Sequence, residues 1–302
     1  MISVVVLTYN QEQYIRQTLD SILMQQVDEP VEIIIGDDHS SDATSDICRN
    51  YQKQYPDKIR YFYNTPNLGL VANFIAMLKQ CRGNYCALCD GDDYWITADK
   101  LQRQVDIMRQ HKDCVLVHTH RHLLVNNQVV EQNPLALGYA QEPKNLLHFC
   151  FVNVPTVFFR LNIVLDFLPE YERLSLLQDW RMQDYPLWLY LGTKGSFRYI
   201  PDAMVHYRVL NNTLSREKDR SRACRFDASV ITVRKHFYSL YLPSLTQKEQ
   251  TDFAEMEFHF RKRMLLDYGW AARGQIIPLL KMLPHWQYIC MQSIKRKLNR
   301  RK

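Results

Sequence analysis

Through the first 120 residues, short and continuously apolar runs alternate with longer stretches in which apolar residues recur every three or four positions. ISVVVL (2–7), VEIIIG (31–36), IRYFY (59–63), YCALC (85–89) and CVLVHT (114–119) are the expected strands. Several are apolar at successive positions, and a strand that hides both faces belongs to a parallel sheet covered by helices. Between them, 11–26, 41–55, 70–81 and 98–111 have helical spacing and length. This βαβα order predicts an α/β fold with an open, mostly parallel, doubly wound sheet and right-handed crossovers. From 120 to 215 the pattern is mixed, with β-like stretches at 155–160, 196–201 and 203–209 around a helical 184–192. This part is expected to complete the same domain and cover the mouth of its site. Beyond Ser215, charged and aromatic residues at helical spacing, as in 248–274, predict a mainly helical C-terminal appendage. The expected division is 1–215, in halves 1–110 and 111–215, followed by 216–302.

Composition narrows the class. A chain of 302 residues, 46% apolar, with 9 glycines and 12 prolines, closes a sizeable core without a disulfide scaffold or structural metal. The net charge is +6, and Lys295, Arg296, Lys297, Arg300, Arg301 and Lys302 supply all of it, leaving the preceding 294 residues neutral in sum. That argues against nucleic acid as a partner and for a local basic tail that meets phosphate head groups. No apolar run reaches the roughly 20 residues of a spanning helix. The segment 276–291, with Trp286 and Tyr288 running into the tail, fits a helix lying in the membrane interface, or one docked on the domain. Eight cysteines are sparse for a secreted framework, and the N-terminus lacks a basic region followed by an apolar stretch. Free thiols and a cytoplasmic location, peripheral at the inner membrane face, are expected.

Ligands of open α/β sheets bind outside the carboxyl ends of the strands. Those ends are Thr8-Tyr9-Asn10, Asp37-Asp38 and Asp90-Gly91-Asp92-Asp93. Five carboxylates along one sheet edge repel one another unless a cation or hydrogen-bond donors satisfy them, so a divalent metal is the natural partner. Hard oxygen ligands spaced as Asp90, Asp92 and Asp93 suit Mg²⁺ or Mn²⁺ holding a diphosphate, although such a loop is also an ordinary turn. In Asp37-Asp38-His39-Ser40-Ser41-Asp42, Ser41 or Asp42 can cap the next helix. Asp38 is left over, and its carboxylate can accept the ring N–H of a nucleobase, with a hydroxyl from Thr8 and a stacking ring from Tyr9. Asp184, just before Tyr185-Pro186, is either a helix cap or a general base facing the site, with Asp179 as the competing base.

Other candidates have plainer readings. His118, His120 and His122 alternate on one strand face, a spacing that allows zinc, but no carboxylate or cysteine completes a set. Cys86 and Cys89 fall in a buried strand, where thiols act as small apolar residues. There is no phosphate loop of the G-x-x-x-x-G-K-[ST] type, no G-x-G-x-x-G after the first strand, no G-x-S-x-G and no H-E-x-x-H.

VVVLTYNQEQYI, then EIIIGDDHSSDAT, then NLGLVANFIAMLKQCRGNYCALCDGDDYW resemble, in order and spacing over about 2–110, the family 2 glycosyltransferases of the Rossmann-like GT-A fold. The likeness continues more loosely through 183–209. The resemblance implies inverting transfer of a hexosyl group from a nucleotide diphosphate donor, a UDP-sugar being favoured, to a hydroxyl of a lipid-linked or surface glycan, as in bacterial polysaccharide synthesis. It makes 1–110 the nucleotide-sugar half and 111–215 the acceptor half. It puts the nucleotide at Thr8, Tyr9 and Asp38, with Asn10 and Asp37 beside them, Mn²⁺ or Mg²⁺ at Asp90, Asp92 and Asp93, and the base at Asp184. One departure is that Tyr207-Arg208 is followed by Val209-Leu210-Asn211, where many members carry a histidine; His206 precedes the pair instead. A sugar-phosphate nucleotidyltransferase would need a glycine-rich basic loop that QEQYIRQ is not. A non-catalytic nucleotide-sugar sensor at the membrane would dispense with Asp184.

Overall fold

The computed structural model describes residues 1–210, 219–279, 281 and 282. The chain divides into two units, Met1–Leu210 and Asn211–Lys302.

The first unit opens with the expected alternation: β1 (Ile2–Thr8), α1 (Ile15–Leu23), β2 (Val31–Asp37), α2 (Thr44–Gln54), β3 (Ile59–Tyr63), α3 (Leu70–Leu78) and β4 (Tyr85–Leu88). β1 pairs in parallel with β2 and β4, and β2 with β3. All seven residues of β1 are buried because helices cover both faces. Val4, Val6, Ile33 and Ile35 share one core cluster with Ile15, Leu19 and Ile22 of α1 and Ile47 and Tyr51 of α2. Val5 and Ile34 lie outside that cluster, and α3 packs on β1 and β2.

Then follow β5 (Tyr94–Trp95), α4 (Lys100–Gln110), β6 (Cys114–Val125), β7 (Gln128–Val130), α5 (Leu137–Ala140), β8 (Val157–Arg160), α6 (Leu161–Leu177), α7 (Tyr185–Gly192) and β9 (Ser196–Val209). Here the sheet becomes mixed. Among the described residues it runs β3-β2-β1-β4-β8-β6-β9-β5, with β7 paired to β6. β8 is antiparallel to both β4 and β6, β5 is antiparallel to β9, and β6 and β9 are parallel. The two β-like stretches at 196–201 and 203–209 form one strand with irregular register opposite Thr119, His120 and Arg121.

The 17-residue α6 is absent from the periodicity reading, because Pro169 interrupts it. An interior proline costs a helix roughly 3 kcal/mol. Burial of Leu161, Val164, Phe167, Leu168, Tyr171 and Leu174 outweighs that, at roughly 1.5–3 kcal/mol for each large apolar side chain.

The second unit is helical, with α8 (Arg220–Tyr241) and α9 (Gln247–Tyr268). Asp219 caps α8 through the Arg222 N–H (2.8 Å), and Thr246 and Glu249 form a reciprocal capping box on α9. Glu257 is nearly buried, between Arg261 (2.6 Å) and Lys235 (3.1 Å). The expected interfacial helix and basic tail fall on 276–302, of which 280 and 283–302 lie outside the described residues. No helix among the described residues is long and apolar enough to cross a membrane.

Candidate functional site

Register brings the predicted strand ends together. Thr8 pairs with Asp37, and the Asp38 N–H donates to the Thr8 carbonyl (3.0 Å). Beyond β4 the chain continues along β1, with Cys89 N–H on Val5 O (3.0 Å) and Gly91 N–H on Leu7 O (2.9 Å). The acidic loop therefore lies against Thr8. A Cβ at position 91 would stand 2.9 Å from Thr8 Oγ1 and would also collide with the Gln11 side chain, so any larger residue forces the loop or these side chains to shift.

Asp37 and Asp38 have structural donors. Asp37 is fully buried and accepts from Ser40 N–H (2.9 Å), Ser45 Oγ (2.7 Å) and Tyr61 OH (2.8 Å). Asp38 accepts from Leu68 N–H (2.8 Å), Gly69 N–H (2.8 Å) and Asn64 Nδ2 (2.9 Å). They fix the loops on either side of the β2 end. Asn10, at a positive φ of 53°, accepts from Ser41 N–H (2.8 Å) and donates its own N–H to Ser40 Oγ (2.9 Å). Thr8 is buried and donates to Gln11 Oε1 (2.8 Å), whereas Tyr9 is 53% exposed and presents its ring to solvent.

The β4 end is different. Asp90 makes no hydrogen bond or ion pair among the described residues, and burial first, then Asp92 and Asp184, push its carboxyl well above the ordinary range. Burial also raises Asp92, against the pull of its own N–H, Arg208 and Gln11. Asp93 turns inward, accepting from the Arg208 N–H (2.7 Å), and is raised by burial and by Asp92 and Asp90. No three His, Cys, Asp or Glu side chains converge into a ready-made metal cage among the described residues. Two half-buried carboxylates, Asp90 and Asp92, nevertheless suit Mn²⁺ or Mg²⁺, which take one or two protein carboxylates and fill the other positions with phosphate and water.

Asp184 precedes α7 but accepts no side-chain capping bond. It is half exposed, close enough to Asp90 to raise it, and itself raised by burial against the N–H groups of Asp184, Tyr185 and Trp188. Asp179 is exposed and ion-paired to Arg181 (2.9 Å), facing solvent.

Three site residues carry no signal in periodicity. Arg208 is buried, donating from Nε to the Asp92 carbonyl (2.8 Å), from Nη1 to Asn127 (3.1 Å) and from Nη2 to Gln17 (2.9 Å), and lies 4.5 Å from the Tyr14 ring centre. Tyr207 senses Asp90, Asp92, Asp93 and Asp184, which together with burial drive its phenol upward. Gln11 joins the Thr8 strand end to the acidic loop and, through its N–H, to Thr44 (2.8 Å). The Tyr-Arg pair was visible as a motif, but not which carboxylates it meets.

The histidine row does not form a metal face. His118 bonds through Nε2 to Ala140 O (2.9 Å) and burial lowers it to about 4, while His120 Nε2 meets Gln132 O (2.7 Å). His206 Nδ1 is taken by Tyr94 OH (2.7 Å). Cys86 and Cys89 are fully buried, and burial raises both thiols.

The uncharacterised protein Mb1547 of Mycobacterium bovis is 45% identical over 111 residues, 37% of this chain, and the chain spans only 32% of that relative's length. TuaG of Bacillus subtilis, a glycosyltransferase named for teichuronic acid biosynthesis, is 29% identical over 223 residues, covering 72% of this chain and 82% of TuaG. The fold resembles residues 1–349 of Staphylococcus aureus TarS crystallised with UDP-GlcNAc, with a TM-score of 0.59 and 17% identity over 97% of this chain and 88% of that one. The model of Glycosyl transferase family 2 matches residues 3–164, more than half of the chain and the whole of the acidic strand edge, and the chain belongs to that family.

Proposed function

We propose that the chain is an inverting, metal-dependent glycosyltransferase that moves a sugar from a nucleotide diphosphate donor to an acceptor hydroxyl of a lipid-linked or surface glycan. The observation that carries this reading is Asp184: a carboxylate that begins a helix without capping it, stands half open and lies beside the uncompensated Asp90. In this reading Thr8, Tyr9, Asn10 and Asp38 form the base and ribose side, with Tyr9 as the stacking ring and Asp37 bracing the loop. TarS was crystallised with UDP-GlcNAc, which supports a UDP-sugar here.

Asp90 and Asp92 would hold Mn²⁺ or Mg²⁺, with Asp93 anchoring their loop. When bound, the ion stabilises charge on the departing diphosphate. Asp184 takes the proton of the acceptor hydroxyl as that oxygen bonds to the anomeric carbon and the bond from carbon to phosphate oxygen breaks. A single displacement inverts the centre. Burial raises the basicity of Asp184, bringing it nearer the working pH of a general base.

The test is a melting panel of UDP, GDP, dTDP and CDP, each with and without Mn²⁺, followed by transfer assays on Asp184→Asn. One diphosphate should stabilise the protein in a metal-dependent way. Asp184→Asn should keep that stabilisation and lose transfer by roughly 10²–10⁴-fold. Undiminished transfer would remove Asp184 from the role, and release of pyrophosphate from a nucleoside triphosphate would point to a nucleotidyltransferase.

A further inference from the structure

Arg208 binds the acidic loop and Arg121 stands close enough to feel Asp93, and they differ in what their guanidinium groups are doing. Arg208 spends its side-chain donors on Asp92 O, Asn127 and Gln17. Arg121 lies on β6 opposite Val205 of β9, so Tyr207, two residues along β9, is its diagonal neighbour on the same sheet face. Its guanidinium stands 5.4 Å from the Tyr207 ring centre. Nε donates to Asn153 Oδ1 (2.7 Å), and among the described residues the group makes no ion pair and no other hydrogen bond. Burial works against its charge, with Tyr207, Asp93 and Tyr199 supporting it.

A half-buried guanidinium with both Nη groups open is a fork shaped for a carboxylate or phosphate. Its place decides whose anion this is. The proposed base and ribose residues sit at the ends of β1 and β2, and the sheet order β1-β4-β8-β6 puts Arg121 beyond the acidic loop. Its neighbour Tyr207 senses Asp184 as well as the loop carboxylates. Arg121 therefore stands on the side from which the attacking hydroxyl must come.

Resting on the glycosyltransferase reading, we propose that Arg121 binds a negatively charged group of the acceptor, a carboxylate or a phosphate, so that the acceptor is an anionic glycan. Saturation-transfer NMR on the full chain with UDP and diamagnetic Mg²⁺ tests this, using p-nitrophenyl β-glucuronide, p-nitrophenyl β-glucoside 6-phosphate and the neutral p-nitrophenyl β-glucoside. One of the charged glycosides should bind the wild type more tightly than the neutral one, and which one identifies the anion. Arg121→Gln should weaken that glycoside by roughly ten- to a hundredfold and leave the neutral one unchanged. Arg121→Lys should restore part of the preference, and neither variant should alter the Mn²⁺-dependent UDP melting shift.

Equal binding of charged and neutral glycosides to the wild type overturns the proposal, and that comparison needs no variant to fold. Loss of the UDP shift in Arg121→Gln, with folding intact, assigns Arg121 to the donor diphosphate and also overturns it. Absence of any nucleotide shift in the wild type is a different failure, that of the donor site itself.

Discussion

Replacing Arg208 with methionine isolates what the acidic loop owes to its anchor. Methionine keeps an apolar stem against Tyr14 and removes the three side-chain hydrogen bonds, at 2.8, 3.1 and 2.9 Å, to Asp92 O, Asn127 and Gln17. Bonds from a charged donor are worth roughly 1.5–3 kcal/mol each, which alone would give 5 kcal/mol or more. The charge is also buried without a direct ion pair among the described residues, so removing it recovers desolvation energy. The net loss is about 2–4 kcal/mol. At roughly 2–4 °C per kcal/mol for a unit of this size, the melting temperature falls by about 4–16 °C. Freeing the Asp92 carbonyl also unseats the proposed metal-binding carboxylates, so Mn²⁺-dependent nucleotide stabilisation should disappear. Differential scanning fluorimetry with and without UDP and Mn²⁺ reads both effects. A variant that melts within about 2 °C of the wild type and keeps the full ligand shift refutes the anchor role.

Two further outcomes follow from the same loop. Gly91→Ala places a Cβ 2.9 Å from Thr8 Oγ1, so the loop must move; melting should fall by an overpacking cost of about 1–3 kcal/mol, and nucleotide binding with Mn²⁺ should weaken at least tenfold in calorimetry, unchanged affinity showing that the loop has room. Asp90 holds its proton more tightly folded than at its ordinary value of 3.8, so in the metal-free protein its ionisation costs stability as pH rises above that value. Asp90→Asn should therefore melt higher than the wild type at pH 8 in EDTA, the gap closing towards pH 4 and reversing when Mn²⁺ is added at pH 8. A gap independent of pH would mean that Asp90 is not strained by its neighbours.

Residues 1–110 were legible because their chemistry and their periodicity coincide. Apolar runs such as ISVVVL and VEIIIG, alternating with helical stretches, point to a covered parallel sheet, and each ends on polar residues that register then aligns, as Thr8 with Asp37. The rest of the first unit lacks this coincidence. β8 is four residues long and antiparallel, β5 is two, and α6 carries an interior proline, so each is specified by packing with residues distant in sequence. Asp184 could be named from its helix start, but its freedom from capping could not. Nothing local in the sequence says that the Arg208 side chain is spent on the acidic loop while Arg121 keeps both Nη groups open.

The carboxylates of the strand edge differ in the same way. Asp37 and Asp38 at the β2 end each collect three donors from the surrounding loops, so their burial is satisfied by the fold itself. Among the described residues Asp90 collects none, and it faces Asp92 and Asp184, an arrangement that weakens the ligand-free protein. A chain under selection for stability alone would supply an N–H or a lysine here, as it supplies Arg261 and Lys235 to Glu257 in the second unit. An unsatisfied acidic pocket beside an open aspartate is best accounted for by a partner that brings positive charge to Asp90 and an ionisable hydroxyl to Asp184. In the proposed function, the donor complex with its metal and the attacking acceptor would supply both.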